Sequence, residues 1–120
     1  MLDEIISDDE LLFRGIIESN WDFENDRPSS AIFKDSKGVS VDRSAGRNEE
    51  DCVAFLREKR DFFKVCSIEV KRVRENSAFV LYKYLLDNIY HSEIHDSIEK
   101  IQIKGSKAKK LRDNLFCIYP

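Results

Sequence analysis

Apolar positions along the chain fall into short blocks, and the spacing within each block predicts the element it forms. Leu11-Leu12-Phe13-Arg14-Gly15-Ile16-Ile17 is a nearly continuous apolar run and reads as a buried strand interrupted by one charge. Ala31-Ile32-Phe33-Lys34 and Val39-Ser40-Val41-Asp42 flank Asp35-Ser36-Lys37-Gly38, the pattern of a hairpin around a four-residue turn closed by Gly. In the second arm Val39 and Val41 share one face, and Ser40 and Asp42 the other. Asn48 ahead of Glu49-Glu50-Asp51 is a helix start, and Cys52, Val53, Phe55 and Leu56 supply the apolar stripe of a helix over 48–59. Strict alternation at Ile68-Glu69-Val70-Lys71 predicts a strand over 64–73.

Further strands are predicted at Phe79–Leu86, with helix as the rival reading, at Ile101-Gln102-Ile103 and at 115–119. Arg74-Glu75-Asn76-Ser77 would turn the chain between two of them. Tyr90–Asp96 is polar and reads as a loop, and 106–114 as a basic helix capped by Ser106. The acidic first ten residues are read as a short helix or a frayed end, and Pro28 biases Arg27 toward a loop. Short connections favour a mixed or mainly antiparallel sheet, so the expectation is a single α+β domain over 1–120 with two packed helices.

Composition adjusts this picture little. The chain has 120 residues, enough for one self-supporting core, with 42% hydrophobic and 36% charged residues. A net charge of −3 gives no bulk argument for nucleic-acid binding. Cys52, Cys66 and Cys117 are odd in number, lie in apolar runs and lack metal-ligand spacing, so they read as buried reduced thiols. With an acidic start and no apolar stretch near the roughly 20 residues of a membrane span, the expected setting is cytoplasmic, away from membrane.

Candidate chemistry concentrates in and around residues 27–43. Arg14, Arg27, Arg43 and Arg47 with Ser29, Ser30 and Ser40 form a set suited to phosphate or carboxylate, because guanidinium forks and hydroxyls both donate to anionic oxygen. The competing reading is a solvated hairpin whose serines cap turns. Arg14 sharpens the functional side, since a charge inside an apolar run needs an anionic partner or a path to solvent. His91 and His95 are the candidate acid–base residues. A metal is not assigned to them: no third ligand is placed, and Glu93 is misplaced for His-Glu-x-x-His. Lys104-Gly105-Ser106-Lys107-Ala108-Lys109-Lys110 could hold an anion at a helix start, but lacks P-loop spacing. Ser29 or Ser30 as a nucleophile has no Gly-x-Ser-x-Gly elbow to support it.

Two resemblances add to this. Arg27-Pro28-Ser29-Ser30-x-x-Phe33, followed by Gly38-x-Ser40-Val41-Asp42-Arg43 and a later His, resembles a group of small uncharacterised bacterial proteins across most of the chain, and implies no activity. Leu12-Phe13-Arg14-Gly15 is similar to the first-strand Leu-Tyr/Phe-Arg-Gly of arginine-type ADP-ribosyltransferases, in which the Arg grips the dinucleotide. The Ser-Thr-Ser strand and Glu-x-Glu turn of that family are absent here, and Ser40 in Val39-Ser40-Val41 is a loose stand-in.

Two functions follow as expectations. One is a site for a phosphate-bearing ligand (a nucleotide, an NAD-like molecule or RNA), with His as acid–base and Arg stabilising charge. The other is a non-catalytic protein that partners a neighbouring gene product, as in a toxin–antitoxin or phage-defence operon. Self-association through an exposed strand, 79–86 or 115–119, is compatible with both.

Overall fold

The computed structural model describes residues 2–120. Its framework is a six-stranded antiparallel sheet that runs, edge to edge, Phe79–Tyr82, His91–His95, Val39–Arg43, Leu11–Ile16, Lys64–Glu69 and Cys117–Tyr119. The strands are β1 (Leu11–Ile16), β4 (Val39–Arg43), β5 (Lys64–Glu69), β6 (Phe79–Tyr82), β7 (His91–His95) and β8 (Cys117–Tyr119). The two-residue strands β2 (Trp21–Asp22) and β3 (Arg27–Pro28) pair separately. The fold is α+β, with helices α1 (Glu49–Lys59), α2 (Val70–Glu75) and α3 (Gly105–Asp113).

The sheet is covered on both faces. Register places Leu12, Arg14 and Ile16 on the same face as Cys66 and Ile68. There Leu12, Ile16, Cys66 and Ile68 join Ile32 and Phe33, Val70 and Val73 of α2, and Ala108 and Leu111 of α3 in the larger core. Phe13 faces the other way and meets Cys52 and Leu56 of α1, with Val65 beneath. Being covered on both sides explains why β1 is a near-continuous apolar run rather than an alternating one.

Helix α1 starts as expected: the Asn48 side chain accepts from the Asp51 amide at 2.8 Å. Several other expectations change. The hairpin over 31–42 does not form, because Ser30–Phe33 is a 3-10 turn capped by Ser29, and β4 pairs with β1 and β7 instead. Ile32 and Phe33 are adjacent and both buried, which a turn of helix permits and a half-exposed strand does not. The strand predicted over 64–73 ends at Glu69. From Val70 the chain is helical, its first amides bonded to the carbonyls of Glu10 (3.0 Å) and Asp8 (3.1 Å).

The Phe79–Leu86 strand stops at Tyr82, and 91–95 is a strand rather than a loop. Residues 101–103 make no strand; Ile103 is buried while Ile101 is exposed. Ser106 does not cap α3. The helix begins after Lys104, whose amide is held by the Asp96 carboxylate at 3.1 Å.

The described part of the N-terminal segment is neither helical nor frayed. Its carbonyls at Asp3 and Ile5 accept from Arg43, and that at Ile6 from Arg74 at 2.7 Å. All three cysteines are free thiols; Cys52 and Cys66 are buried, Cys117 half-buried. Burial pushes the Cys66 thiol up to about 12 against the counter-effect of Arg14, so it is inert at neutral pH. No helix among the described residues is long and apolar enough to cross a membrane.

Candidate functional site

Where β1 and β4 separate, the sheet leaves a cleft. The two strands pair only at Leu12–Arg43 and Phe13–Asp42. Beyond that point the Arg14 guanidinium takes over, Nη1 donating to the Ser40 carbonyl at 2.7 Å. Its Nε is buried without a partner among the described residues. Burial pushes the guanidinium below its ordinary value, and nearby Cys66 and Asp35 oppose that shift.

The cleft has a volume of about 430 Å³, within the range of small-ligand sites. Its floor is the polar face of β4 and β7: Ser40, Asp42 and His91. Leu56, Lys59 and Arg60 from the end of α1 form one wall, and Leu85, Asp87 and Asn88 of the β6–β7 connection another. Phe62 closes the end over Gly15. A Cβ at Gly15 would lie 2.4 Å from the Phe62 ring, so this strand position admits only glycine while the ring is in place.

His91 is oriented from both sides. Its Nδ1 lies 2.7 Å from the Lys83 carbonyl and its Nε2 3.2 Å from the Ser40 hydroxyl. A carbonyl only accepts, so Nδ1 carries hydrogen in that contact. In the neutral ring Nε2 then holds the lone pair toward which Ser40 donates. Asp42, opposite His91 in the ladder, accepts from Asn88 Nδ2 at 2.8 Å through Oδ1, while its buried Oδ2 has no partner among the described residues. Burial raises the Asp42 carboxyl above the ordinary carboxylate value, opposed by the Asn88 bond and by the charges of Arg47, His91 and Lys59.

Of the residues singled out in the sequence, Ser40 and His91 share this cleft; Arg14 borders it, but its side chain belongs to the opposite face of the sheet, with Cys66. The others are occupied elsewhere. Arg27 is exposed on β3, 3.8 Å from Asp22. Ser29 caps the 3-10 turn that Ser30 begins. Arg43 is buried against Glu10. Arg47 lies over the Tyr90 ring at 3.3 Å and donates to the carbonyls of Ser44 and Arg43. His95 pairs with Glu93 at 2.8 Å, on the same face of β7 as His91. The lysine-rich run forms α3, where Lys107 reaches back to Ser77 and Asp96. Among the described residues no group of three or more His, Cys, Asp or Glu is placed to hold a metal ion.

Sequence reading missed Asp42, Lys59, Arg60 and Asn88. The signal available for Asp42 was its place beside Ser40 on the polar face of β4. The two cations carried only the ordinary signature of a helix C-terminus. No family model, curated protein or solved structure matches the chain.

Proposed function

We propose that the cleft beside Arg14 binds a small phosphate-bearing ligand of nucleotide size. The observation that carries this reading is the convergence of Ser40 and His91, from two adjacent strands, with Lys59 and Arg60 on one cavity. Guanidinium and ammonium groups would take the phosphate oxygens, the Ser40 hydroxyl and the His91 ring would fix orientation, and Leu56, Phe62 and Leu85 offer an apolar wall to a base or ring. Asp42 also lines the cleft, and burial raises its carboxyl above the ordinary carboxylate value. The free thiols suit a reducing, cytoplasmic setting.

Thermal-shift titration with NAD, mononucleotides and short RNA tests the reading. A dose-dependent rise in Tm with one class, lost in Arg60→Ala and Lys59→Ala, is expected; at 100 times Kd it corresponds to about 2.7 kcal/mol. No shift with any of the three removes the reading.

One observation favours a second reading, a partner-binding protein of an operon neighbour. Tyr84, Leu85, Leu86 and Ile89 are exposed in the β6–β7 connection, beside the outer strand β6. Solution mass together with co-purification of the neighbouring gene product discriminates: a lone monomer that ignores the neighbour counts against it.

A further inference from the structure

The geometry points to Ser40 as a nucleophile activated by His91, acting on a phosphodiester held in the cleft. This rests on the reading of the cleft as a phosphate site and adds a reaction to it. A nucleophilic hydroxyl needs a base within hydrogen-bond reach, and the base needs a third group that fixes its tautomer. The chain supplies this sequence of contacts from three different segments. The Lys83 carbonyl fixes His91 Nδ1–H at 2.7 Å, and His91 Nε2 faces the Ser40 hydroxyl at 3.2 Å. Ser40 is exposed on β4, so its oxygen is open to a substrate on the cleft side. The Arg14 guanidinium is bonded to the main chain of the same residue, 2.7 Å from its carbonyl. Arg60 stands exposed across the cleft. With Lys59 beside it, Arg60 offers positive charge to the oxygens of a phosphoryl group as it is attacked.

The chemistry balances without a further reagent. Ser40 Oγ forms a bond to phosphorus as its proton passes to His91 Nε2. The phosphorus–oxygen bond opposite breaks, and the leaving alcohol departs with the electron pair and is protonated from solvent. His91 releases its proton to solvent. A water then attacks phosphorus, giving a proton to His91 Nε2, and the Ser40 oxygen leaves with the bonding pair and recovers a proton. The sum is phosphodiester plus water to phosphomonoester plus alcohol.

The test is labelling of the full chain with a fluorophosphonate, whose phosphorus loses fluoride to an activated serine, followed by intact mass and peptide mapping. Bis(4-nitrophenyl) phosphate turnover is measured in parallel. A single adduct on Ser40 is expected, absent in Ser40→Ala and slowed at least about 100-fold in His91→Gln, with turnover falling alike. Thermal melts of both variants show whether they fold. The wild-type result stands without them. An adduct elsewhere, no adduct, or folded His91→Gln labelled at the wild-type rate overturns the proposal. If the wild type shows ligand-dependent thermal shifts but no Ser40 adduct, the nucleophile is refuted and the binding reading stands. If it shows neither, both fall.

Discussion

The Arg43 guanidinium closes on the Glu10 carboxylate with two parallel contacts, Nη2–Oε2 at 2.7 Å and Nε–Oε1 at 3.0 Å. Both side chains are nearly removed from solvent. Glu10 Oε1 also accepts from the Ala45 amide at 3.0 Å, and Arg43 donates to the carbonyls of Asp3 and Ile5. The pair therefore fastens the N-terminal segment to the end of β4. Removing one partner strands the other charge, so Arg43→Ala is expected to lower stability by about 3–5 kcal/mol in urea denaturation. A loss within 1 kcal/mol would show the clamp to be dispensable.

Gly15 and Phe62 offer a more local test. A methyl group at Gly15 collides with a ring, and overpacking of this kind costs about 1–3 kcal/mol. Gly15→Ala is expected to lose that much in chemical denaturation, and Gly15→Ala with Phe62→Ala to lose less than the sum of the single changes. Strict additivity would mean that the two do not compete for the same space.

Asp42 sets a pH dependence whose sign follows from its burial. Its folded-state carboxyl is raised, so the native state holds the proton more tightly than the unfolded chain. The stability it contributes is present below the ordinary carboxylate value and is lost as pH rises through the raised one. Asp42→Asn mimics the protonated acid and keeps the oxygen that accepts from Asn88. Relative to wild type, the variant should gain stability at pH 7 and lose that advantage toward pH 4, read by urea denaturation at both values. An equal difference at the two pH values would contradict the assignment.

Asp96 has the opposite sign. The Lys104 amide, first, and the Lys107 ammonium hold its carboxyl below the ordinary value, and burial opposes them only in part. Its contribution is present above the ordinary carboxylate value and lost as pH falls through the lowered one. Asp96→Ala unties the start of α3 and should cost about 1.5–3 kcal/mol at pH 7, shrinking in acid. Hydrogen exchange at the first turn of α3 locates the effect; unchanged protection there would argue for another cause.

What the sequence made legible is the buried-run logic of β1, the capped start of α1 and the two-faced pattern of β4. Each is decided by residues close together in the chain. What it hid was decided by distant partners. Val70 and Val73 have the i, i+3 spacing of a helix, but Ile68-Glu69-Val70-Lys71 alternates as a strand would. The tie is broken by the carbonyls of Asp8 and Glu10, some sixty residues earlier. His91-Ser92-Glu93-Ile94-His95 looked like a loop because four of its five residues are polar; in the sheet Ser92, Glu93 and Ile94 are all buried. The candidate site was legible in the same uneven way. Arg14 stood out because a charge in an apolar run needs a reason. Arg27 and Arg43 drew attention by composition, which cannot distinguish an ion pair from a ligand site.

The order of strands across the sheet, β6-β7-β4-β1-β5-β8, has a bearing on synthesis. β1, made before the other strands of this sheet, sits near the middle of it, and neither of its neighbours is local: β4 begins at Val39 and β5 at Lys64. Loop closure over such separations is slow, so an apolar segment made early stays unpaired while much of the chain is still being translated. Its interval of exposure ends only when Glu69 has emerged and can meet Leu11. During that interval Arg14 interrupts the run with a charge, the same feature that marks one wall of the cleft in the folded protein.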